Sequence, residues 1–423
     1  MTENFDADLH LHSSHSIGVS PRMSIPNMAQ AAKKKGLDIL GTGDATQPDW
    51  LEHLRNNLIP ESGCFRYEDI WFILTTEIED ENSVHHLVLL PDFDAVRHLI
   101  RLVKPHSPNV EDEWGGRPRA NLNAERLAGM VRDVGGLIGP AHAFTPFRSI
   151  FRQGQNETLQ ECYGSEAGNI KFLELGLSAD TILADHIPEL RSLTFITSSD
   201  AHSPSPDKIG REFLRLEIEK PSYHELSLAL SRRQGRKPVA NFGLNPRLGK
   251  YYLSFCPSCR RTLVLVEDST FSRYDDLNIY MPCNSPDEQK RIVEDIAKRE
   301  VTCPVDGKPI RLGVRDRAMA IGETKSVSPS HRPLYHHIPP LLDLVADALG
   351  IKSRSSKKVR SLYSKLRERF GDEIEILMKT NPALIEEINP DVSRMIDCFR
   401  KDNIEYQAGG GGRYGKLIGP WME

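Results

Sequence analysis

Residues 27–44 read NMAQAAKKKGLDILGTGD. Asn27 to Lys35 is an amphipathic segment of helical spacing, and Asp38-Ile39-Leu40-Gly41 is a short apolar run of strand type. Thr42-Gly43-Asp44 then sets a carboxylate just past the strand's end. The rhythm continues to about Asn241. Strands are predicted at Ile70 to Ile78, His86 to Leu90, Gly136 to Ile138, Phe172 to Leu175 and Leu193 to Ile196. Helices are predicted at Ala124 to Val134 and Ser222 to Arg232. Strands alternating with helices point to βαβ units and a mainly parallel sheet. In that α/β class, reactive side chains collect on the loops at one end of the strands.

The chain has 423 residues, more than one core usually holds, so two or three domains are expected. The βα rhythm defines a first domain, 1–248. Cysteine pairs, prolines and β-rich pieces mark a second, 249–322. Helical pattern, ending in a glycine run, marks a third, 323–423. A net charge of -5 excludes a globally basic surface, so any polyanion-binding face must be local. No apolar run approaches the roughly 20 residues of a membrane helix, and Met1 to His10 lacks a leader pattern. A cytoplasmic protein with no membrane contact is expected. Seven cysteines in a long chain do not suggest a disulfide framework. Cys64, Cys162 and Cys398 stand alone, whereas Cys256, Cys259, Cys283 and Cys303 share one stretch.

The histidines and carboxylates carry the chemistry. Asp8-Leu-His10-Leu-His12 spaces two imidazoles so that, on an extended chain, both face one side and can share a metal. Asp44, Glu77, His85-His86, His142 and Asp200-Ala-His202 each sit at a predicted strand end or in the loop beyond it. Any one of them alone reads as an ordinary polar residue. Two H/D-x-H pairs plus further ligand types, all at strand ends, read as a metal cluster. Imidazole and carboxylate without thiolate suit zinc, manganese or magnesium.

These stretches resemble the PHP family of metal-dependent phosphoesterases over roughly residues 5 to 240. The matching pieces include Asp8-Leu-His10-Leu-His12-Ser13, Gly43-Asp44, Thr76-Glu77, Pro140-Ala-His142 and Ser199-Asp200-Ala-His202. The resemblance implies a distorted βα barrel holding two or three divalent metals. It implies His10, His12, Glu77 and Asp200 on one metal, and Glu77, His86 and His202 on a second, with His85 the alternative to His86. Asp44 and His142 would belong to a third. Glu77, Asp200 and His202 are the expected catalytic residues.

Cys256-Pro-Ser-Cys259 is one arm of a zinc-ribbon-like module, and Cys303-Pro-Val-Asp306 occupies the place of the second arm. The fourth ligand is Asp306 or Cys283. In Lys357 to Phe370, Val359, Leu362, Leu366 and Phe370 recur at helical spacing. Lys357, Lys358 and Arg360 stand among the remaining cations, so a basic helix is predicted. Gly410, Gly411, Arg413 and Tyr414 form a loop able to approach a ligand closely. Phosphoesterase chemistry, a zinc module, a basic helix and a Gly-Arg-Tyr loop together favour a polymeric phosphate substrate.

Through Gly41-Thr-Gly-Asp44-Ala45, Thr75-Thr-Glu77-Ile-Glu79-Asp80, Gly139-Pro-Ala-His142-Ala-Phe144, Leu173-Glu-Leu-Gly176-Leu-Ser178-Ala-Asp180 and the Gly409 to Gly415 loop, the whole arrangement resembles the endonuclease Q family of DNA repair nucleases. This implies incision 5′ to uracil, hypoxanthine, xanthine or an abasic site in damaged double- or single-stranded DNA. Tyr163, Ser165 and Ser178 are candidates for the pocket that receives the altered base. Two other readings remain: a small-molecule phosphatase of the histidinol-phosphatase type, and a non-catalytic nucleic-acid-binding protein.

Overall fold

The computed structural model describes residues 1–267, 273–323 and 325–418. The N-terminal strands are β1 (Glu3–Asp8), β2 (Ile39–Gly41), β3 (Ile59–Glu61), β4 (Cys64–Tyr67), β5 (Ile70–Glu79), β6 (His85–Leu90), β7 (Leu137–Pro140), β8 (Phe172–Glu174), β9 (Thr194–Ile196), β10 (Phe213–Ile218) and β11 (Lys237–Gly243). The helix Ile25–Lys35 begins after Ser24 with proline in its first turn and buries Ile25, Met28, Ala29 and Ala32. It returns the chain to lay β2 parallel to β1, and β5 then joins β2 in parallel.

The expectation of a mainly parallel sheet is corrected here. β10 pairs antiparallel with β1, β4 and β6 with β5, and β7 with β6. The physical reason is loop length. Residues 80–84 connect β5 to β6, and a parallel pairing needs a crossover of roughly a dozen residues or more. The hydrogen-bonded ladder stops at β7, and β8 with β9 forms a separate parallel pair.

The cysteine-bearing segment folds around a small apolar cluster of its own, which includes Leu263, Ile279, Val293, Ile296 and Leu312. Its strands β12 (Thr262–Val266), β13 (Arg273–Tyr274) and β14 (Asn278–Pro282) lie in the order β12-β14-β13, with the helix Pro286–Ala297 following. β15 (Leu334–His337) then returns to the main sheet, parallel to β11.

The C-terminal helices do not build a separate core. Leu344, Val345, Leu366, Ile376, Met395 and Ile396 join the same apolar cluster as Met28, Leu40 and Leu74. A buried ion pair crosses this junction. Lys35 Nζ lies 2.9 Å from Glu373 Oε2, and the Tyr363 hydroxyl donates to Glu373 Oε1 at 2.7 Å. The hairpin of β16 (Glu405–Gln407) and β17 (Lys416–Ile418) follows. Residues 268–272, 324 and 419–423 of the expected second and third domains lie outside the described residues. Among the described residues, no helix is long and apolar enough to cross a membrane.

Candidate metal centre

Asp8 ends β1 fully buried and accepts hydrogen bonds from the backbone N–H groups of Ser199 and Gly210, at 2.9 and 2.8 Å. Burial pushes its carboxyl up to about 6 even against those bonds. This carboxylate staples the loop after β9 to the end of β1. Beyond it the chain remains extended, Leu11 bridges to Ala201, and the His12 N–H donates to the Ala201 carbonyl at 3.1 Å. His10 and His12 therefore lie side by side, with ring centres 5.2 Å apart, facing Asp200.

Each imidazole is held from behind. His10 Nδ1–H donates to Glu174 Oε2 at 2.8 Å, and His12 Nδ1–H donates to Asp44 Oδ1 at 3.0 Å. Both Nε2 atoms then point inward, 3.6 and 3.5 Å from the Glu77 oxygens. His12 Nε2 is 3.1 Å from Asp200 Oδ1 but misaligned for a hydrogen bond. Both Nε2 atoms are buried and unpartnered. Buried polar atoms are ordinarily satisfied, and imidazoles oriented by a carboxylate through Nδ1 are the usual metal-ligating arrangement. The geometry fits cations.

Glu77 is the hub. Its Oε1 lies 2.8 Å from His85 Nδ1 and 2.9 Å from His142 Nε2. Three donor groups overlap around it: His10, His12 and Glu77; His12, Asp200 and His202; and Glu77, His85 and His142. Within each group the ligand atoms lie within 4.8 Å of one another. Burial alone would raise the Glu77 carboxyl, but the charges of His85 and His10 and a bond from His142 hold it well below its ordinary value. Burial lowers the His10 and His12 imidazoles, yet the facing carboxylates prevail. Glu174 chiefly lifts His10 to about 10, and Asp44 chiefly lifts His12 to about 9. Burial lowers His202.

The backbone is bent to make this cluster. Asp44, His142 and Asp200 adopt φ of +50°, +31° and +48°, a region that costs a residue with a Cβ about 1–3 kcal/mol. Gly176 permits the His142 bend, because a Cβ there would stand 2.6 Å from His142 Cβ. A cavity of about 240 Å³ opens over the cluster, and Arg117, Arg148, Thr145 and Phe147 stand on its wall.

The cysteine site is a second donor set. Cys256, Cys259, Cys303 and Asp306 present ligand atoms within 4.8 Å of one another. Cys256 Sγ is 3.3 Å from Asp306 Oδ2, and Cys259 Sγ is 3.6 Å from Cys303 Sγ. Three thiols and a carboxylate from two knuckles fit tetrahedral zinc.

A family model described as the MJ0043 C-terminal domain matches residues 340–403. The uncharacterised protein MJ0043 of Methanocaldococcus jannaschii is 33% identical over 70% of this chain, which spans 33% of that protein's length. The crystal structure of the lesion-specific endonuclease PfuEndoQ from Pyrococcus furiosus superposes with a TM-score of 0.86. It is 37% identical, over 99% of this chain and 96% of that one. The chain belongs to the endonuclease Q family. A structure of endonuclease Q complexed with a 27-mer duplex carrying an abasic lesion superposes with a TM-score of 0.85. It is 36% identical, over 99% of this chain and 97% of that one.

In this endonuclease Q family member, several predicted positions move. His86 is corrected from the cluster to the layer behind it. Its Nδ1 meets the Tyr163 hydroxyl at 2.7 Å and its Nε2 meets Asp80 at 3.3 Å. His85 takes its place, because alternate residues of β6 face opposite sides. Asp44 is corrected from ligand to orienting group. Its two oxygens are occupied by His12, the Ser13 N–H and hydroxyl, and the Ser16 hydroxyl.

Tyr163 is fully buried and held by His86, so it lines no base pocket. Ser165 is bound to Glu125 at 2.6 Å, and Ser178 is not on the cavity wall. Cys283 is turned toward the Ser285 carbonyl, outside the thiol cluster.

The glycine loop approaches the chain itself. A Cβ on Gly411, at φ +61°, would stand 1.9 Å from the Arg260 carbonyl, and one on Gly410 would stand 2.5 Å from Thr262 Cγ2. Arg413 donates to the Arg260 and Leu277 carbonyls and to the Thr262 hydroxyl. Gly410, Gly411 and Arg413 are thus corrected from a free ligand loop to a tether against β12. Tyr414 is exposed, with Lys250 Nζ 4.6 Å from its ring centre. Lys357, Lys358 and Arg360 stand exposed on the helix Lys357–Phe370, which buries Val359, Tyr363 and Leu366.

Glu174 was not anticipated as a functional residue. Its signals are a carboxylate in the apolar run Phe172-Leu173-Glu174-Leu175 and its place in a stretch that carries the family resemblance. Arg117 and Arg148 carry no motif at all.

Proposed function

We infer that this chain is a metal-dependent endonuclease that hydrolyses the DNA phosphodiester 5′ to deaminated bases (uracil, hypoxanthine, xanthine) and to abasic sites. The observation that carries this reading is the likeness, along almost the whole chain, to a lesion-specific endonuclease. The buried imidazole–carboxylate cluster under an arginine-rimmed cavity supports it. We assign His10, His12, Glu77, His85, His142, Asp200 and His202 as ligands of two or three divalent cations, with zinc, manganese and magnesium as the candidates. Cations seated there would lower the pKa of a water and neutralise charge on the phosphate oxygens.

The chain's own residues do the rest. Glu174 and Asp44 keep the Nδ1 protons of His10 and His12, leaving the Nε2 lone pairs directed into the centre. Arg117 meets the non-bridging phosphate oxygens at the cavity wall, and Arg148, held there by Glu79, adds positive charge beside them. Glu77, Asp200 and His202 would hold the cations beside the reacting phosphate, which makes them the residues on which turnover depends most. In this reading residues 1–248 catalyse, 249–322 hold a structural zinc through Cys256, Cys259, Cys303 and Asp306, and 323–423 help grip the duplex. Lys357, Lys358 and Arg360 would contact phosphates with salt-sensitive affinity. The reading also implies a cytoplasmic protein.

The test uses labelled duplexes carrying uracil, hypoxanthine, an abasic site or no lesion, with manganese, magnesium or zinc. Lesion-dependent nicking by the wild type, lost in Asp200→Asn, is expected. Turnover of a small phosphomonoester alone, or DNA binding without nicking in every metal, defeats the reading.

A further inference from the structure

A second cavity, of about 270 Å³, adjoins the metal cavity and shares Phe147 and Arg148 with it. It lies where the loop 144–153 meets residues 311–314 of the cysteine-bearing segment. Its floor is apolar: Phe144 and Phe151 are 3% and 1% exposed, with ring centres 5.4 Å apart. Phe147 differs sharply. It is 48% exposed, a large aromatic left open to solvent beside a reactive centre.

The arginines around this cavity are committed, with one exception. Arg148 is paired to Glu79 at 2.6 Å. Arg152 donates to the Ser83 and Asn82 carbonyls, and Arg317 to the Phe151 carbonyl and Glu157. The Arg311 guanidinium lies 5.8 Å from the Phe147 ring centre and has no carboxylate or carbonyl partner among the described residues. Tyr251 packs edge-on against the same ring, 5.6 Å between centres, so a planar group can stack only on the ring surface that Arg311 and Tyr251 leave exposed, and a guanidinium with no carboxylate partner beside it binds phosphate oxygens in a fork.

We propose that this groove seats one nucleoside monophosphate unit of the strand next to the scissile phosphate, its base stacked on Phe147 and its phosphate bonded to Arg311. The proposal rests on the nuclease reading for its place in the reaction. It makes Phe147 and Arg311 substrate-binding residues that act without the metals.

Full-length Asp200→Asn protein, which removes turnover, is titrated with thymidine monophosphate, thymidine and inorganic phosphate by saturation-transfer NMR. Transfer to the thymine protons is expected. Adding Phe147→Ala should weaken the monophosphate about tenfold. Adding Arg311→Gln should bring the monophosphate down to the affinity of thymidine. Circular dichroism checks that both variants fold, and Phe147→Tyr should restore binding.

No thymine signal in the parent overturns the proposal. So does unchanged monophosphate affinity in folded Phe147→Ala and Arg311→Gln, or inorganic phosphate binding as tightly as the monophosphate. If these binding results hold while wild-type protein nicks no lesion, the seat stands and the nuclease reading falls. If nicking holds and the binding results fail, the seat alone falls.

Discussion

Glu174→Gln separates the support of the metal centre from the ligands themselves. Glu174 is fully buried, and one oxygen, Oε2, accepts both His10 Nδ1–H at 2.8 Å and the His142 backbone N–H at 2.9 Å. Glutamine keeps the shape and an acceptor but removes the charge that makes His10 a stronger donor to a cation. Loss of such an outer partner costs about 10–100-fold in metal affinity, or about 1.4–2.7 kcal/mol. A second effect opposes the first. The charge of Glu174 is the chief influence raising His10 to about 10, so the variant's imidazole gives up its proton more readily. The deficit should therefore be larger at pH 9 than at pH 7, where proton competition partly masks it. The assay is competition between metal-free protein and a chelator of known affinity at both pH values, with single-turnover nicking at saturating metal. Nicking should return largely to the wild-type rate once metal saturates. Affinity within twofold of wild type at both pH values, in a variant with wild-type circular dichroism, would refute the orienting role.

The metal-free cluster should release protons when it binds a cation. His10 and His12 stand at about 10 and about 9, so both are protonated at neutral pH and each must lose a proton to ligate. Affinity should rise as pH climbs toward 9, about tenfold per unit for each proton displaced. Calorimetry in buffers of differing ionisation heat counts the protons, and a count of zero contradicts the assignment.

His85→Ala should lower nicking at limiting metal at least about tenfold, whereas His86→Phe should act on stability with metal affinity little changed. Equal metal defects in the two would return His86 to the centre. Asp306→Cys should tighten zinc in the cysteine site by completing a four-thiolate set, as read from zinc transfer to a chelator. Lys35→Met leaves Glu373 buried without its cation and should cost about 3–5 kcal/mol in denaturant unfolding. A loss under about 1 kcal/mol would show that water reaches the junction.

The sequence by itself brought out the side chains that the fold gathers into two donor clusters. His10, His12, Glu77, His142, Asp200 and His202 were legible as candidates because imidazoles and carboxylates at the ends of apolar runs have no packing reason to be there, and the fold brings them together. Cys256, Cys259, Cys303 and Asp306 were legible because knuckle spacing is local. The strand and helix positions were legible for the same reason, since periodicity is a property of neighbours in the chain.

The tertiary structure decided which of two adjacent residues faces inward. A one-residue step on β6 turns His85 toward Glu77 and His86 toward Tyr163, and no local pattern sets that register. It engaged both oxygens of Asp44, with His12 on one and Ser13 and Ser16 on the other. It turned the glycine run into a tether, because only packing brings Arg260 against Gly411. It also revealed Glu174, Arg117, Arg148 and the Phe147–Arg311 groove. These residues come from separate strands and loops, and the fold alone brings them to one face.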